Sequence, residues 1–336
     1  MTDNNLPICV DLDGTLSRTD TLWEYFIAAL KHNWAFVLVS PFKILNGKAN
    51  FKSYLVNSTG TYNPEYVFQE DLLEYLKSEK NNGRKIYLAT GSHEVVAKRV
   101  ANQAQVFDGV FATNDRTNLI SQNKADLLTK TFPNGFVYAG NSSQDLKVWA
   151  TSKEAILVNT PASIRTIAKQ SYNVTKEFGE SPNQWLDLLR LVHKKQCLKA
   201  TPLLIPLVWI TNPSITEISI FLIGLISFLL GTSALYLARD LLNLDQDRKH
   251  PKKNPQVLAS GRVEISKACF LFMMLLTLAF VLSLILSQTF FWMLLGHCIL
   301  IAILELTILR ESVALKTPLT LLRLILPIAA GFILLR

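Results

Sequence analysis

Cysteine is scarce. The four present in 336 residues (Cys9, Cys197, Cys269, Cys298) are scattered and share no metal-ligand spacing. That argues against a disulfide framework and a cysteine-based zinc site, and the thiols read as reduced and structural. The opening "MTDNNLPICVDLDG" lacks the basic region and long apolar core of a signal peptide, so the first half is expected in the cytoplasm. Acidic residues are in deficit, 26 against 34 Lys and Arg, which leaves a net charge of +8. The basic residues flank apolar runs and form no stripe with aromatics, which argues against nucleic acid as a partner. They suit anchors on the anionic cytoplasmic face of a membrane. Charge itself thins out from Thr201 onward, and no aspartate follows Asp247.

The length favours two domains, and the change in composition divides them at 1–185 and 186–336. The first part mixes charged and apolar residues as soluble proteins do. Its start, "LPICVDLDGTL", is a short apolar strand that delivers Asp11 and Asp13 on one side, followed by a turn that frees backbone amides for a ligand. An ordinary acidic turn after a strand is the competing reading. Further on, "GRKIYLATGS" is a second apolar strand ending in Thr90, and Lys124 lies in a helical stretch, "SQNKADLLTKTF". A later strand, "NGFVYAGNSSQDLKVW", ends in Gly140, Asn141 and Asp145.

These four motifs, in this order over residues 7–160, resemble those of the haloacid dehalogenase (HAD) phosphatase superfamily. The resemblance implies a Rossmann-like α/β domain, a parallel sheet with a helical cap. It implies that Asp11 attacks phosphorus and that Asp13 protonates the leaving oxygen and then activates water. Thr90 and Lys124 would bind the phosphoryl oxygens. Mg²⁺ would be the cofactor, held by Asp11, the Asp13 carbonyl, Asn141 and Asp145. The family pattern at the fourth motif is GDxxxD, whereas this chain reads GNSSQD, so Asn141 brings an oxygen but no charge. His93 follows the second motif and reads as a histidine at a helix surface rather than a substrate contact.

Between the first two motifs, about 17–80, lies the expected cap. "TLWEYFIAALKHNWAFVLVSPFKIL" and "EDLLEYLKSEK" read as amphipathic helices. The first is apolar enough to suggest a span, but Lys31, His32, Asn33 and Lys43 interrupt it. A helical cap that touches the bilayer surface is the reading made here.

The second part is expected to be all-helical and multi-pass, with about five spans at 196–211, 218–238, 268–287, 290–309 and 317–335. The loop 239–267 carries Arg248, Lys249, Lys252, Lys253 and Arg262, which places it, and the first domain with it, in the cytoplasm of a bacterial inner membrane. His297, in mid-span, reads as a buried, hydrogen-bonded histidine rather than a proton relay.

In "ARDLLNLDQDRKHPKKNP", a helix continuing past Ala238 would put Asp240, Asn243 and Asp247 on one face, with Arg248, Lys252 and Lys253 just beyond. Such a face could hold Mg²⁺ and a phosphate, and a charge-neutral interfacial loop is the alternative. The segment resembles the first aspartate motif of UbiA-type prenyltransferases, NDxxDxxxD. That resemblance implies a prenyl-diphosphate site at Asp240, Asn243, Asp247, Arg248, Lys252 and Lys253. Here Arg239 replaces the family's Asn and Asn243 its middle aspartate, and about five spans stand against the family's nine or so.

Three expectations follow. The first is a membrane-tethered HAD phosphatase acting on a small or lipid-linked phosphomonoester. The others are a bifunctional prenyltransferase with a fused phosphatase, and a degenerate, non-enzymatic membrane protein.

Overall fold

The structure is a computed structural model that describes residues 6–32, 36–45, 47–114, 117–179, 184–192, 198–306 and 313–335. The chain divides into two compact units, Met1–Asn183 with Ser260–Ile265, and Gln184–Ala259 with Ser266–Arg336.

The first unit is built on a six-stranded sheet, every pairing of which is parallel. β1 (Ile8–Val10) is followed by α1 (Thr21–His32), α2 (Phe36–Leu45), α3 (Lys48–Ser58) and α4 (Glu70–Asn81). β2 (Ile86–His93), α5 (Glu94–Ala104), β3 (Gly109–Thr113) and α6 (Ser121–Thr131) come next. β4 (Val137–Gly140), α7 (Leu146–Trp149), β5 (Glu154–Val158), α8 (Ala162–Ser171) and β6 (Val174–Phe178) complete the order. Parallel neighbours need helical crossovers, and these cover both faces of the sheet, so the central strands are apolar throughout. Side-chain alternation divides them between two cores. Ile8, Val10, Leu88 and Ala139 join one core, while Cys9, Ala89, Tyr138 and Leu157 join the other.

The strand order β3-β2-β1-β4-β5-β6 runs outward in both directions from β1 and β4. The crevice beyond their carboxyl ends is therefore the topological switch point, where α/β sheets bind ligands. Asp11 follows β1 directly and Asn141 follows β4 directly.

The helical insert is narrower than 17–80. An isolated antiparallel bridge joins Ser17 to Phe68, closing the insert around α1, α2 and α3. α4 buries Leu72 and Leu76 in the same core as Ile8 and Ile86, the position of a crossover helix that returns the chain to β2.

The second unit is helical. α9 (Gln184–Arg190) is followed by a 3₁₀ stretch, Leu198–Trp209. Pro202 and Pro206 lie inside that stretch, and the amide hydrogens they lack deny it an α-helical ladder. Helices Ile215–Leu242, Ile265–Leu286 and Gln288–Leu306 follow, and Val313–Ile333 closes the described chain. Three of these helices are long and apolar enough to cross a membrane: Ile215–Leu242, Ile265–Leu286 and Gln288–Glu305. Ala200–Trp209 and Pro318–Ile333 are shorter apolar helices, so five apolar elements stand where about five were expected. The beginning of the expected 196–211 span, with Cys197, and the end of the 290–309 span lie outside the described residues.

Ile215–Leu242 starts on a capping box. Ser214 Oγ accepts from the Glu217 amide at 3.2 Å, and Glu217 Oε2 accepts from the Ser214 amide at 2.7 Å. Its inner face carries Gly224, Ser227, Gly231 and Thr232, and these small residues let Phe290, Leu294 and Cys298 approach closely. Cys9, Cys269 and Cys298 are free thiols, as expected.

Candidate active site

At the end of β1 the backbone amide of Asp11 donates to the Ala139 carbonyl at 2.9 Å, tying the catalytic turn to β4. Residues 12–17 then close a tight turn, with Ser17 N donating to Leu12 O at 2.9 Å. Glycine at position 14 is required twice over. Its φ is +76°, and a Cβ there would lie 2.1 Å from Asn141 Nδ2. The first and fourth motifs thus meet directly, with the Asn141 amide lying over the Gly14 backbone.

Lys124 is buried and reaches in from α6. Its Nζ donates to Asp11 Oδ1 at 2.6 Å and to the Tyr138 hydroxyl at 2.8 Å, and it lies 3.9 Å from Asp145 Oδ1. Tyr138 in turn donates to Asp145 Oδ1 at 2.8 Å. Burial pushes the Asp11 carboxyl up to about 7, Lys124 opposing and Asp145 reinforcing the rise. Burial acts downward on Lys124, but Asp11 and Asp145 outweigh it and hold the ammonium charged.

Asp145 also organises the loop after β4. Its Oδ2 accepts from Asn141 N at 3.0 Å, Ser142 N at 2.9 Å and Ser142 Oγ at 3.0 Å. With Tyr138 on Oδ1, both oxygens are engaged by donors, an arrangement that suits positioning better than the metal ligation expected of Asp145.

Asp13 faces the insert. Its Oδ1 accepts from the amide of Thr21, the first residue of α1, at 2.8 Å, and its Oδ2 accepts from Ser92 Oγ at 2.6 Å. Thr90 is buried, with Oγ1 accepting from Ser92 N at 2.9 Å. Ser92 and Thr21 hydroxyls stand 2.9 Å apart. Asp20 accepts from the Leu22 amide at 2.8 Å, and burial, followed by the charge of Asp13, pushes its carboxyl up to about 7. Beside Ser92 lies a small pocket of about 20 Å³ whose apolar wall includes Leu22, Leu55, Val56 and Val96, with Lys52 and His93 as its basic groups. His93 caps α5, its Nδ1 accepting from the Val95 amide at 3.3 Å, so it serves a helix end as well as lining the pocket.

The fold therefore brings Asp11, Asp13, Thr90, Lys124, Asn141 and Asp145 to one end of the sheet. Sequence reasoning missed Thr21, Ser92, Tyr138 and Asp20. Ser92 had a signal: two residues after Thr90 on a strand, it shares that residue's side of the sheet. Tyr138 had a similar one, since period-two alternation sets it apart from its neighbours Val137 and Ala139.

The residues that the resemblance assigns to Mg²⁺ carry oxygen donors of the kind a hard cation takes, and Lys124 engages only Oδ1 of Asp11. Asp11 contributes a carboxylate, Asp13 a backbone carbonyl and Asn141 an amide oxygen, and Mg²⁺ commonly binds through one or two carboxylates while keeping waters. Among the described residues no group of three or more His, Cys, Asp or Glu side chains gathers as a metal site.

The second acidic motif is arranged differently. The helix continues past Ala238 but ends at Leu242, and Asn243 both terminates it and starts the short helix Leu244–Lys249. The helical hydrogen bonds nonetheless run through Asn243, whose amide donates to the Arg239 carbonyl at 3.0 Å and whose carbonyl accepts from the Asp247 amide at 2.9 Å. Arg239 Nη2 holds Asp240 Oδ1 at 2.8 Å, and its Nη1 lies 3.5 Å from Glu305 Oε2. Lys253 Nζ holds Asp247 Oδ1 at 2.6 Å. Arg323 joins the group, donating to the Tyr236 hydroxyl at 2.6 Å, while Tyr236 donates to Glu305 at 3.1 Å. Arg248 is buried and Lys252 exposed. Asp240 and Asp247 are thus each paired with a cation through one oxygen, Oδ1. His297 is buried, its Nε2 3.4 Å from Thr232 Oγ1.

Fold and site together define the class: a doubly wound α/β unit with a strand-end aspartate pair beside a buried lysine, joined to a helical unit with membrane-length helices. No family model matches the chain. An uncharacterized protein of Sinorhizobium fredii is 27% identical over 294 residues, covering 86% of this chain and 56% of that protein. The chain thus spans about half the length of the curated relative it matches. Structural neighbours of the first half include HAD phosphatases, and one of the second half is a UbiA homolog. A probable phosphoserine phosphatase from Vibrio cholerae is 15% identical over 52% of this chain and 61% of its own, with a TM-score of 0.36. The UbiA homolog, from Archaeoglobus fulgidus and bound to GPP and Mg²⁺, is 22% identical over 43% of this chain and 52% of its own, with a TM-score of 0.37.

Proposed function

We propose that the chain is a membrane-tethered, Mg²⁺-dependent phosphatase that works through an aspartyl phosphate on a small or lipid-linked phosphomonoester. The observation that supports this best is the 2.6 Å contact between Lys124 Nζ and Asp11 Oδ1 at the sheet's switch point, with Asp13 one turn away. The Asp11 carboxylate attacks phosphorus as the bond to the leaving oxygen breaks. Asp13 gives its proton to that oxygen. The resulting Asp13 carboxylate then takes a proton from water, which attacks the aspartyl phosphate, releases phosphate and restores Asp11. Lys124 and Thr90 offset charge on the transferring phosphoryl oxygens. Mg²⁺, held by Asp11, the Asp13 carbonyl and Asn141, would supply further charge neutralisation. Asp145 positions Lys124 through Tyr138 and holds the Asn141 loop.

Thr21 and Ser92 give Asp13 a fixed orientation, and through Thr21 they link it to the first turn of the insert. Basic residues in 239–267 support a cytoplasmic site on a bacterial inner membrane. The test is hydrolysis of 4-nitrophenyl phosphate by the full-length protein with Mg²⁺ and with EDTA. Turnover that EDTA leaves intact contradicts the reading. Prenyl transfer, the second reading, gains nothing from the geometry at Asp240 and Asp247, because both carboxylates are held by cations.

A further inference from the structure

The first unit buries its large apolar side chains well, with one local exception. Five of them are strongly exposed among its described residues, and four belong to α2: Val39, Phe42, Ile44 and Leu45, with Ile167 the fifth. Phe42 is 69% exposed and Leu45 82%. Val39, Phe42 and Leu45 recur every three residues along one side, Phe36 and Ser40, four residues apart on another, are buried, and Ile44 is exposed at the helix end. α2 is therefore anchored by one face and presents a second apolar face outward. Scattered single apolar residues are ordinary on a protein surface, but a contiguous set on one helix marks an interaction site.

Charge identifies the occupant. From Tyr25 to Pro64 the chain carries Lys31, His32, Lys43, Lys48 and Lys52 and not one Asp or Glu. Lys52 is turned inward, donating to the Gly91 carbonyl and to Asn118 Oδ1. Lys31 and His32 are exposed at the end of α1, and Lys43 lies beside the apolar face with its ammonium over the Tyr54 ring, 5.1 Å from the centroid. An apolar helix face bordered by cations and free of acids matches an anionic phospholipid surface, with the rings and aliphatic chains in the acyl boundary and the lysines among the headgroups. The same polypeptide carries three helices of membrane length, so such a surface is always within reach. We propose that α2 docks the insert on the anionic bilayer surface, with Phe42, Ile44, Leu45 and Val39 inserted at the interface.

The test uses the full-length protein in nanodiscs of mixed phosphatidylglycerol and phosphatidylcholine, with p-benzoylphenylalanine in place of Phe42 or, separately, of Leu45. After irradiation, peptides are examined by mass spectrometry. Photoprobes at Leu222, exposed on a membrane-length helix, and at Lys77, exposed on α4, serve as positive and negative controls. The proposal expects a phospholipid adduct at position 42 or 45 several-fold above that at position 77. It also expects the yield to fall several-fold in pure phosphatidylcholine and in the Lys31→Glu, Lys43→Glu variant. A crosslink to another peptide of the same chain or to a second copy overturns it. So does a yield at both positions no higher than at position 77 while position 222 is labelled.

Discussion

Both units set a carboxylate against a cation, yet the two arrangements differ in what seats the cation. In the α/β unit one lysine touches one Asp11 oxygen, and the surrounding donors seat the lysine without consuming the other oxygen. In the helical unit Arg239 and Lys253 occupy the very carboxylates that resemble a diphosphate site. Each of those cations engages a single oxygen, Asp240 Oδ1 and Asp247 Oδ1, as Lys124 engages Asp11 Oδ1. Lys124 comes from a distant helix and is seated by Tyr138 and Asp145, whereas Arg239 is the sequence neighbour of the Asp240 it holds and reaches on to Glu305.

The largest effect that sharpens this contrast belongs to the chemical groups. Lys124→Met is expected to lower phosphomonoester turnover by roughly 10²–10³-fold. Asp13→Asn is expected to cost a comparable or larger factor, roughly 10²–10⁴, with leaving groups of high pKa affected most. Asp240→Asn and Asp247→Asn should leave phosphatase turnover unchanged, and loss of activity in either would break the separation drawn between the two units. Ser92→Ala removes a hydrogen bond to a charged group worth about 1.5 kcal/mol, so a loss of about tenfold in kcat is expected, without loss of folding.

The smallest effect concerns Asp20 and stability. Its folded pKa is about 7, above the unfolded value of about 3.9. A raised carboxyl binds a proton in the folded state that the unfolded state has released, so the folded state loses stability as pH rises from about 4 to about 7. Asp20→Asn removes that loss. Relative to the parent, the variant should gain stability between pH 5 and pH 8, at most roughly 2.6 kcal/mol before discounting for partial exposure. Unfolding midpoints at the two pH values in the same detergent measure the difference. A parent and variant that move in parallel with pH would remove Asp20 from the account.

Much of this was legible in the sequence because local patterns carried it. Apolar strands ending in Asp11, Thr90 and Asn141 announced a parallel sheet, and uncharged runs announced the long helices. The insert's true limits were not legible, because the bridge between Ser17 and Phe68 joins residues far apart in sequence. Nor was the role of Asp145: a GNSSQD loop reads as a ligand set until its carboxylate is seen accepting from Asn141, Ser142 and Tyr138. Asn243 shows the same limit. Spacing placed it on a helix with Asp240 and Asp247 but did not show the distortion of the backbone at that residue. The two prolines of Leu198–Trp209 did forecast an irregular segment, though not its 3₁₀ geometry.

Formation of an acyl phosphate on Asp11 is checked by trapping it. Full-length protein turning over a phosphomonoester with Mg²⁺ is quenched and treated with borohydride, which reduces an acyl phosphate to an alcohol. The account predicts homoserine at position 11, seen by peptide mass spectrometry and absent in Asp11→Asn. Steady turnover with residue 11 recovered only as aspartate, or homoserine at another carboxylate, would contradict it.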